Sequence, residues 1–193
     1  MEQRPNIVFI FADDMGYGDV SCLNPEGKIP TPNIDRIADQ GIAFTDAHST
    51  SAVCTPSRYG VLTGRYNWRS RLQAGIVRVF GEPLIGEETL TVPRFLGDHG
   101  YGTACIGKWH LGWDWPLQDA DQFVPDRSQP PPSVTDEMLE EWREAFTKPI
   151  GGGPTTRGFD YYFGVDVPNW PPFCWIEDDR LQGVPSEYLP EEK

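Results

Sequence analysis

Residues 6–12 (N-I-V-F-I-F-A) form an unbroken apolar run, the pattern of a strand buried on both faces of a parallel sheet. The run ends in a glycine-rich turn, Asp13-Asp14-Met15-Gly16-Tyr17-Gly18. Thr31-Pro32 reads as an N-cap with proline at the first helical position. Ile34, Ile37 and Ala38 fall on one face of that helix, and Gly41 closes it. Residues 42–44 begin a second short strand. A helix is expected over 56–63, just after Cys54, with Gly64 as its stop. Thr91 caps another, with Val92, Phe95 and Leu96 facing inward until residues 97–100 end it. Residues 102–106 make a third strand that leads into Gly107-Lys108-Trp109-His110. Strands alternating with helices predict an α/β layered fold with a largely parallel sheet.

The pattern then changes. Residues 116–133 are polar and proline-rich and include Pro130-Pro131-Pro132. A helical stretch follows over 134–146, with Met138, Leu139, Trp142 and Phe146 at apolar spacing, and Gly151-Gly152-Gly153-Pro154 ends it. We read 116–153 as an insertion within one domain spanning 1–193.

Composition narrows the function. The net charge is -13, and no basic stripe exists to meet phosphates, so nucleic acid is excluded as a partner. No apolar run reaches eighteen residues, so no membrane span is expected. Residues 1–5 lack the basic and apolar regions of a signal peptide, so the protein is cytoplasmic or its targeting segment is absent from this chain. Cys22, Cys54, Cys105 and Cys174 are widely spaced, which implies neither a zinc site nor a disulfide framework. Cys22, Cys105 and Cys174 are read as packing residues. His48 and His99 are read as structural, His99 at a helix C-terminus where positive charge is favoured. Glu177-Asp178-Asp179 reads as a solvated turn.

In open α/β sheets ligands bind beyond the carboxyl ends of the strands. Three polar clusters stand at such ends: Asp13-Asp14, 54–58, and Lys108-Trp109-His110. Together they offer two carboxylates, a cysteine, an arginine, a lysine and a histidine, an inventory for a metal and a tetrahedral anion. An acidic protein handling an anion must gather cations locally, and a divalent metal is one way to do so.

Cys54-Thr55-Pro56-Ser57-Arg58, with the following helix ending in Thr63-Gly64-Arg65, resembles the first sulfatase signature. Gly100-Tyr101-Gly102-Thr103, continuing to Gly107-Lys108-Trp109-His110, resembles the second. Residues 5–18 and the segment from Arg157-Gly158-Phe159-Asp160 to Gly164 are also similar to that family. The resemblance covers nearly the whole chain except 116–153. It implies an alkaline-phosphatase-like α/β sandwich with a largely parallel central sheet flanked by helices. It further implies a sulfuric ester hydrolase acting on aryl or carbohydrate sulfates.

The same resemblance implies the site roles. A separate formylglycine-generating maturation enzyme would oxidise Cys54 to formylglycine (3-oxoalanine). One oxygen of the hydrated aldehyde attacks sulfur, and the other drives sulfate elimination. Asp13, Asp14 and the matured Cys54 would bind calcium (Ca2+) through oxygen. Arg58, four residues after Cys54 on the same helix face, would hold the diol and the metal carboxylates. Lys108 and His110 alternate with Trp109, which predicts that both point to one side. Lys108 would bind a sulfate oxygen and His110 a diol hydroxyl.

The family pattern also needs a later Asp-Asn or Asp-His pair, a further histidine and a further lysine. No histidine follows His110, so the chain is read as the N-terminal part of the catalytic domain, incomplete at its C-terminus and inactive alone. Family members are often periplasmic or secreted. Two other functions stay open: a phosphate or phosphonate ester hydrolase of the same superfamily, and a non-catalytic binder of sulfated ligands if Cys54 is never matured.

Overall fold

The computed structural model describes residues 4–117 and 135–185. The chain divides into two compact units, Met1–His48 and Ser49–Lys193.

In the first unit the apolar run at 6–12 forms no strand among the described residues, and Val8 is 84% exposed. The same holds for 42–44. A strand exists only where a neighbour supplies its ladder, and among the described residues of this unit none does. The expected helix is present as α1 (Pro32–Gln40). Its N-terminus is tied to the preceding loop. Thr31 Oγ1 accepts the Ser21 N–H at 2.8 Å and donates to Asp35 Oδ1 at 2.9 Å, and Asp35 also accepts the Cys22 N–H at 3.0 Å. The apolar face of α1 is not packed as expected, since Ile37 is 63% exposed. Cys22 is exposed too, contrary to its reading as a packing residue.

The second unit holds α2 (Cys54–Thr63), α3 (Val92–Asp98), α4 (Asp136–Ala145) and one four-stranded sheet. Its strands are β1 (Ala104–Lys108), β2 (Tyr161–Val165), β3 (Trp175–Glu177) and β4 (Arg180–Gln182), hydrogen-bonded in that order. The β1–β2 pair is parallel, and the other two pairs are antiparallel. Thr91 caps α3 through the Arg94 N–H, as its sequence predicts. Its neighbours Val92 and Phe95 are exposed rather than inward. The core is aromatic instead: Trp109, Trp113, Trp115, Phe80, Phe146 and Tyr162 pack with Ile85, Ile150 and Ile176.

The insertion leaves and returns through one bridge. Asp114 and Gly151 exchange both backbone hydrogen bonds, at 2.9 and 3.1 Å. The proline-rich part at 118–134 lies outside the described residues. The helix beyond it, α4, is anchored in the core by Ala145 and Phe146, with Trp142 against them. Of Glu177-Asp178-Asp179, Glu177 ends β3 and the two aspartates make the β3–β4 hairpin turn, which is not merely solvated. Asp178 accepts the Tyr162 N–H at 2.9 Å and returns its own N–H to Tyr162 O.

The parallel pair depends on two facing glycines. Gly107 sits opposite Gly164, and a Cβ on Gly164 would lie 1.9 Å from the Gly107 carbonyl oxygen. The Tyr162 hydroxyl lies 3.0 Å from the carbonyls of Gly107 and Val165, filling the space beside this contact. Gly164→Ala should therefore separate β1 from β2 and cost about 3 kcal/mol or more in denaturant unfolding of the full-length protein. A loss under about 0.5 kcal/mol would show that the ladder yields there without cost.

Candidate active site

Cys54 is the first residue of α2, after Val53 in extended backbone. Pro56 lies in the first turn, where its missing N–H is no loss. The Ser57 hydroxyl lies 2.7 Å from Ser51 O and 2.8 Å from Val53 O, which ties the turn to the approach loop. The positive end of the helix dipole favours an anion beside Cys54. Gly64, at φ 66°, ends the helix as expected.

Two hydrogen bonds run in opposite directions between α2 and the end of β1. Arg58 Nη1 donates to the Lys108 carbonyl at 2.6 Å. Lys108 Nζ stands 3.1 Å from Cys54 Sγ. The spacing that places Cys54 and Arg58 one helical turn apart thus brackets Lys108 from both ends.

Thr55 makes a second link. It is fully buried (0% exposed), and its hydroxyl donates to the His110 carbonyl at 2.9 Å while accepting the Val77 N–H at 3.2 Å. The ring closes through His110, whose Nε2 lies 2.9 Å from the Val77 carbonyl. A carbonyl only accepts, so Nε2 carries the proton, and in the neutral ring the basic lone pair is on Nδ1.

Lys108 and His110 do not converge by strand alternation. β1 stops at Lys108, and His110 adopts a left-handed backbone at φ 53°. Its N–H donates to Asp166 Oδ1 at 3.1 Å, and its ring meets Trp170 edge-on at 6.0 Å. His110 is 2% exposed. Trp109 is core, and its indole donates to Gly112 O at 3.1 Å.

Asp166 is a site residue that sequence reasoning missed. It follows β2 directly, at the same end of the sheet as Lys108. A signal existed: Tyr161-Tyr162-Phe163-Gly164-Val165 is rich in β-forming residues, and a carboxylate stands at its end. Burial pushes the Asp166 carboxyl up to about 6, although the Trp113 indole, the His110 N–H, Lys108 and Arg58 all favour its ionised form. Tyr162 and Cys174 also face it, and burial raises both, Cys174 to about 12. Cys105 is raised by burial to about 11 and packs against the core, as expected of a structural thiol.

Asp13 and Asp14 belong to the first unit, where both are exposed. Asp14 has φ 62°, a left-handed turn that aspartate tolerates better than most residues. His48 is exposed beside Asp46, and His99 ends α3 with Nδ1 at 2.7 Å from Phe95 O.

The chain is similar to known sulfatases. The sulfatase family model matches residues 5–172. N-acetylgalactosamine-6-O-sulfatase of Bacteroides thetaiotaomicron is 50% identical over 110 residues, 57% of this chain and 21% of the relative. Arylsulfatase H of Canis lupus familiaris is 42% identical over 189 residues, 95% of this chain and 27% of the relative. A solved Bacteroides thetaiotaomicron structure, labelled 6S-sulf and described with the metabolism of multiple glycosaminoglycans, superposes with a TM-score of 0.75 at 36% identity. That match covers 96% of this chain and 33% of the other. The chain therefore spans about a fifth to a third of the length of these proteins.

The Asp166 shift carries a pH consequence. A carboxyl raised by folding favours the folded state while protonated, and that contribution is lost as pH rises through its folded value. Between about pH 4 and pH 6, unfolding free energy should fall by on the order of 2 kcal/mol from this group. Asp166→Asn should lack that fall, so its advantage over the wild type should grow from pH 4 to pH 7 in denaturant titrations. A pH-independent difference would refute the assignment.

Proposed function

The chain belongs to the sulfatase family, and on that premise we propose that the protein hydrolyses sulfate esters at a centre built on Cys54. The carrying observation is Lys108 Nζ at 3.1 Å from Cys54 Sγ, at the start of a helix whose Arg58 grips the Lys108 backbone. A nucleophile position, a cation for a sulfate oxygen and a helix N-terminus share one place. That arrangement suits a tetrahedral anion whose charge grows during reaction.

In this reading a maturation enzyme converts Cys54 to formylglycine, whose hydrate supplies an oxygen nucleophile. Lys108 holds a sulfate oxygen and neutralises developing charge. Arg58 fixes Lys108 through its carbonyl and adds positive potential. His110 presents Nδ1 as the acceptor for a hydroxyl proton, because Nε2 is committed to Val77. Asp13 and Asp14 are adjacent hard oxygen donors on an exposed turn, the chemistry calcium takes and soft metals do not. Bound calcium would draw charge from the sulfate as a Lewis acid. The N-acetylgalactosamine-6-O-sulfatase relative, and a similar structure solved with its substrate D-glucosamine-2-N,6-O-disulfate (TM-score 0.57, 25% identity), favour a sulfated sugar as substrate.

In full-length protein co-expressed with a maturation enzyme, tandem mass spectrometry should find an aldehyde at Cys54, and Cys54→Ala should abolish turnover. Lys108→Ala should lower kcat on an aryl sulfate by about 10²–10³-fold. Asp14→Ala should release calcium, read by elemental analysis as well as by activity. An unmodified thiol in a preparation that turns over sulfate esters would refute the formylglycine chemistry. Faster turnover of aryl phosphate than of aryl sulfate would favour a phosphate ester hydrolase instead.

A further inference from the structure

We propose that Asp166 is a positioning residue of this site, fixing His110 through its backbone N–H and balancing the charge around Lys108 and Arg58. The proposal rests on the reading of Cys54, Lys108 and His110 given above. Among the contacts that hold His110 are three hydrogen bonds, with Thr55 on its carbonyl, Val77 on its ring and Asp166 on its N–H. Thr55 comes from α2 and Val77 from the loop after it. Asp166 comes from β2, and so joins the ends of the two parallel strands beyond their ladder.

That third contact decides where the imidazole sits. A left-handed backbone is strained for a residue with a Cβ, so neighbours must hold His110 at φ 53°. Its N–H faces a carboxylate oxygen, a stronger acceptor than a neutral one when ionised. With Nε2 committed, the direction of Nδ1 follows the backbone. Release of the N–H would let the turn relax and move the proton acceptor.

Charge points the same way. Arg58 and Lys108 bring two cations to a small volume, and Asp166 is a carboxylate that senses both. The other titratable groups facing it, Tyr162 and Cys174, are kept neutral by burial. Ionised Asp166 is destabilising where it lies, and an amide of the same shape would fold better. A residue that lowers stability beside a reactive centre is one that function retains.

The test uses full-length protein with matured Cys54 and the variants Asp166→Asn, Asp166→Ala and His110→Ala. Asp166→Asn keeps an oxygen acceptor and loses the charge. It should be more stable than wild type at pH 7, yet about tenfold lower in kcat on an aryl sulfate with KM nearly unchanged. Asp166→Ala loses both contributions and should fall about 100-fold in kcat. Hydrogen-exchange mass spectrometry should show a protected His110 amide in wild type and Asp166→Asn, and a rapidly exchanging one in Asp166→Ala. Wild-type kcat in Asp166→Ala, or kcat losses that merely track lost stability, would overturn the proposal. If His110→Ala keeps full turnover, the catalytic reading of the site fails. In that case an unprotected His110 amide in wild type would overturn the Asp166 contact as well.

Discussion

The Thr55 hydroxyl is where the helix of the nucleophile candidate and the end of the central strand become one object. It donates to His110, accepts from Val77, and is sealed from solvent, so a mismatch there would leave buried backbone groups unsatisfied. His110 returns the connection through Nε2 to Val77. The loop is closed, and each member fixes the others. Arg58 and Lys108 repeat the theme one helical turn away, with a side chain from each element reaching the other.

This cross-bracing works because β1 and β2 approach closely. Gly107 and Gly164 face each other, Gly164 has no room for a Cβ, and Tyr162 fills the flank. The close register brings Lys108 level with Val165, and hence His110 within reach of Asp166. A bulkier pair would still make a sheet, but its ends would part and the polar groups beyond them would lose contact. The aromatic core under α2 and the sheet, from Phe80 through Trp113 to Tyr162, gives these ends a stiff base.

Electrostatics shows the same division between whole and part. The chain carries a net charge of -13, a field that repels anions. At the site Arg58, Lys108 and the first turn of α2 gather positive charge over a short range, where partial burial makes each charge count for more than it does in water. Asp166 tempers that charge from within. The cations gathered there come from one helix and one strand end.

Much of this was legible in the sequence. Thr-Pro, Thr and Gly punctuation gave away α1, α2 and α3, apolar spacing gave away α4, and the two long motifs grouped Cys54, Arg58, Lys108 and His110. The rest depended on partners. The runs at 6–12 and 42–44 have the apolar pattern of strands, yet pattern alone supplies no ladder, and neither forms a strand among the described residues. Val92, Phe95 and Ile37 lie on correctly predicted helices but stay exposed, because an apolar face is buried only when something packs on it. β3 and β4 are three residues each, too short for periodicity to show. Alternation along 108–110 put Lys108 and His110 on one side, and a left-handed turn at His110 replaced that rule. Asp166 was invisible as a site residue because its role comes from a hydrogen bond spanning 56 positions and from two cations supplied by other elements. The sequence by itself determined which residues cap, which face a helix presents and which chemistry the chain carries, since those follow from neighbours a few positions apart. Only the tertiary structure decided which strands pair, which apolar faces are covered and which carboxylate meets His110, because those depend on groups that the chain brings together only by folding.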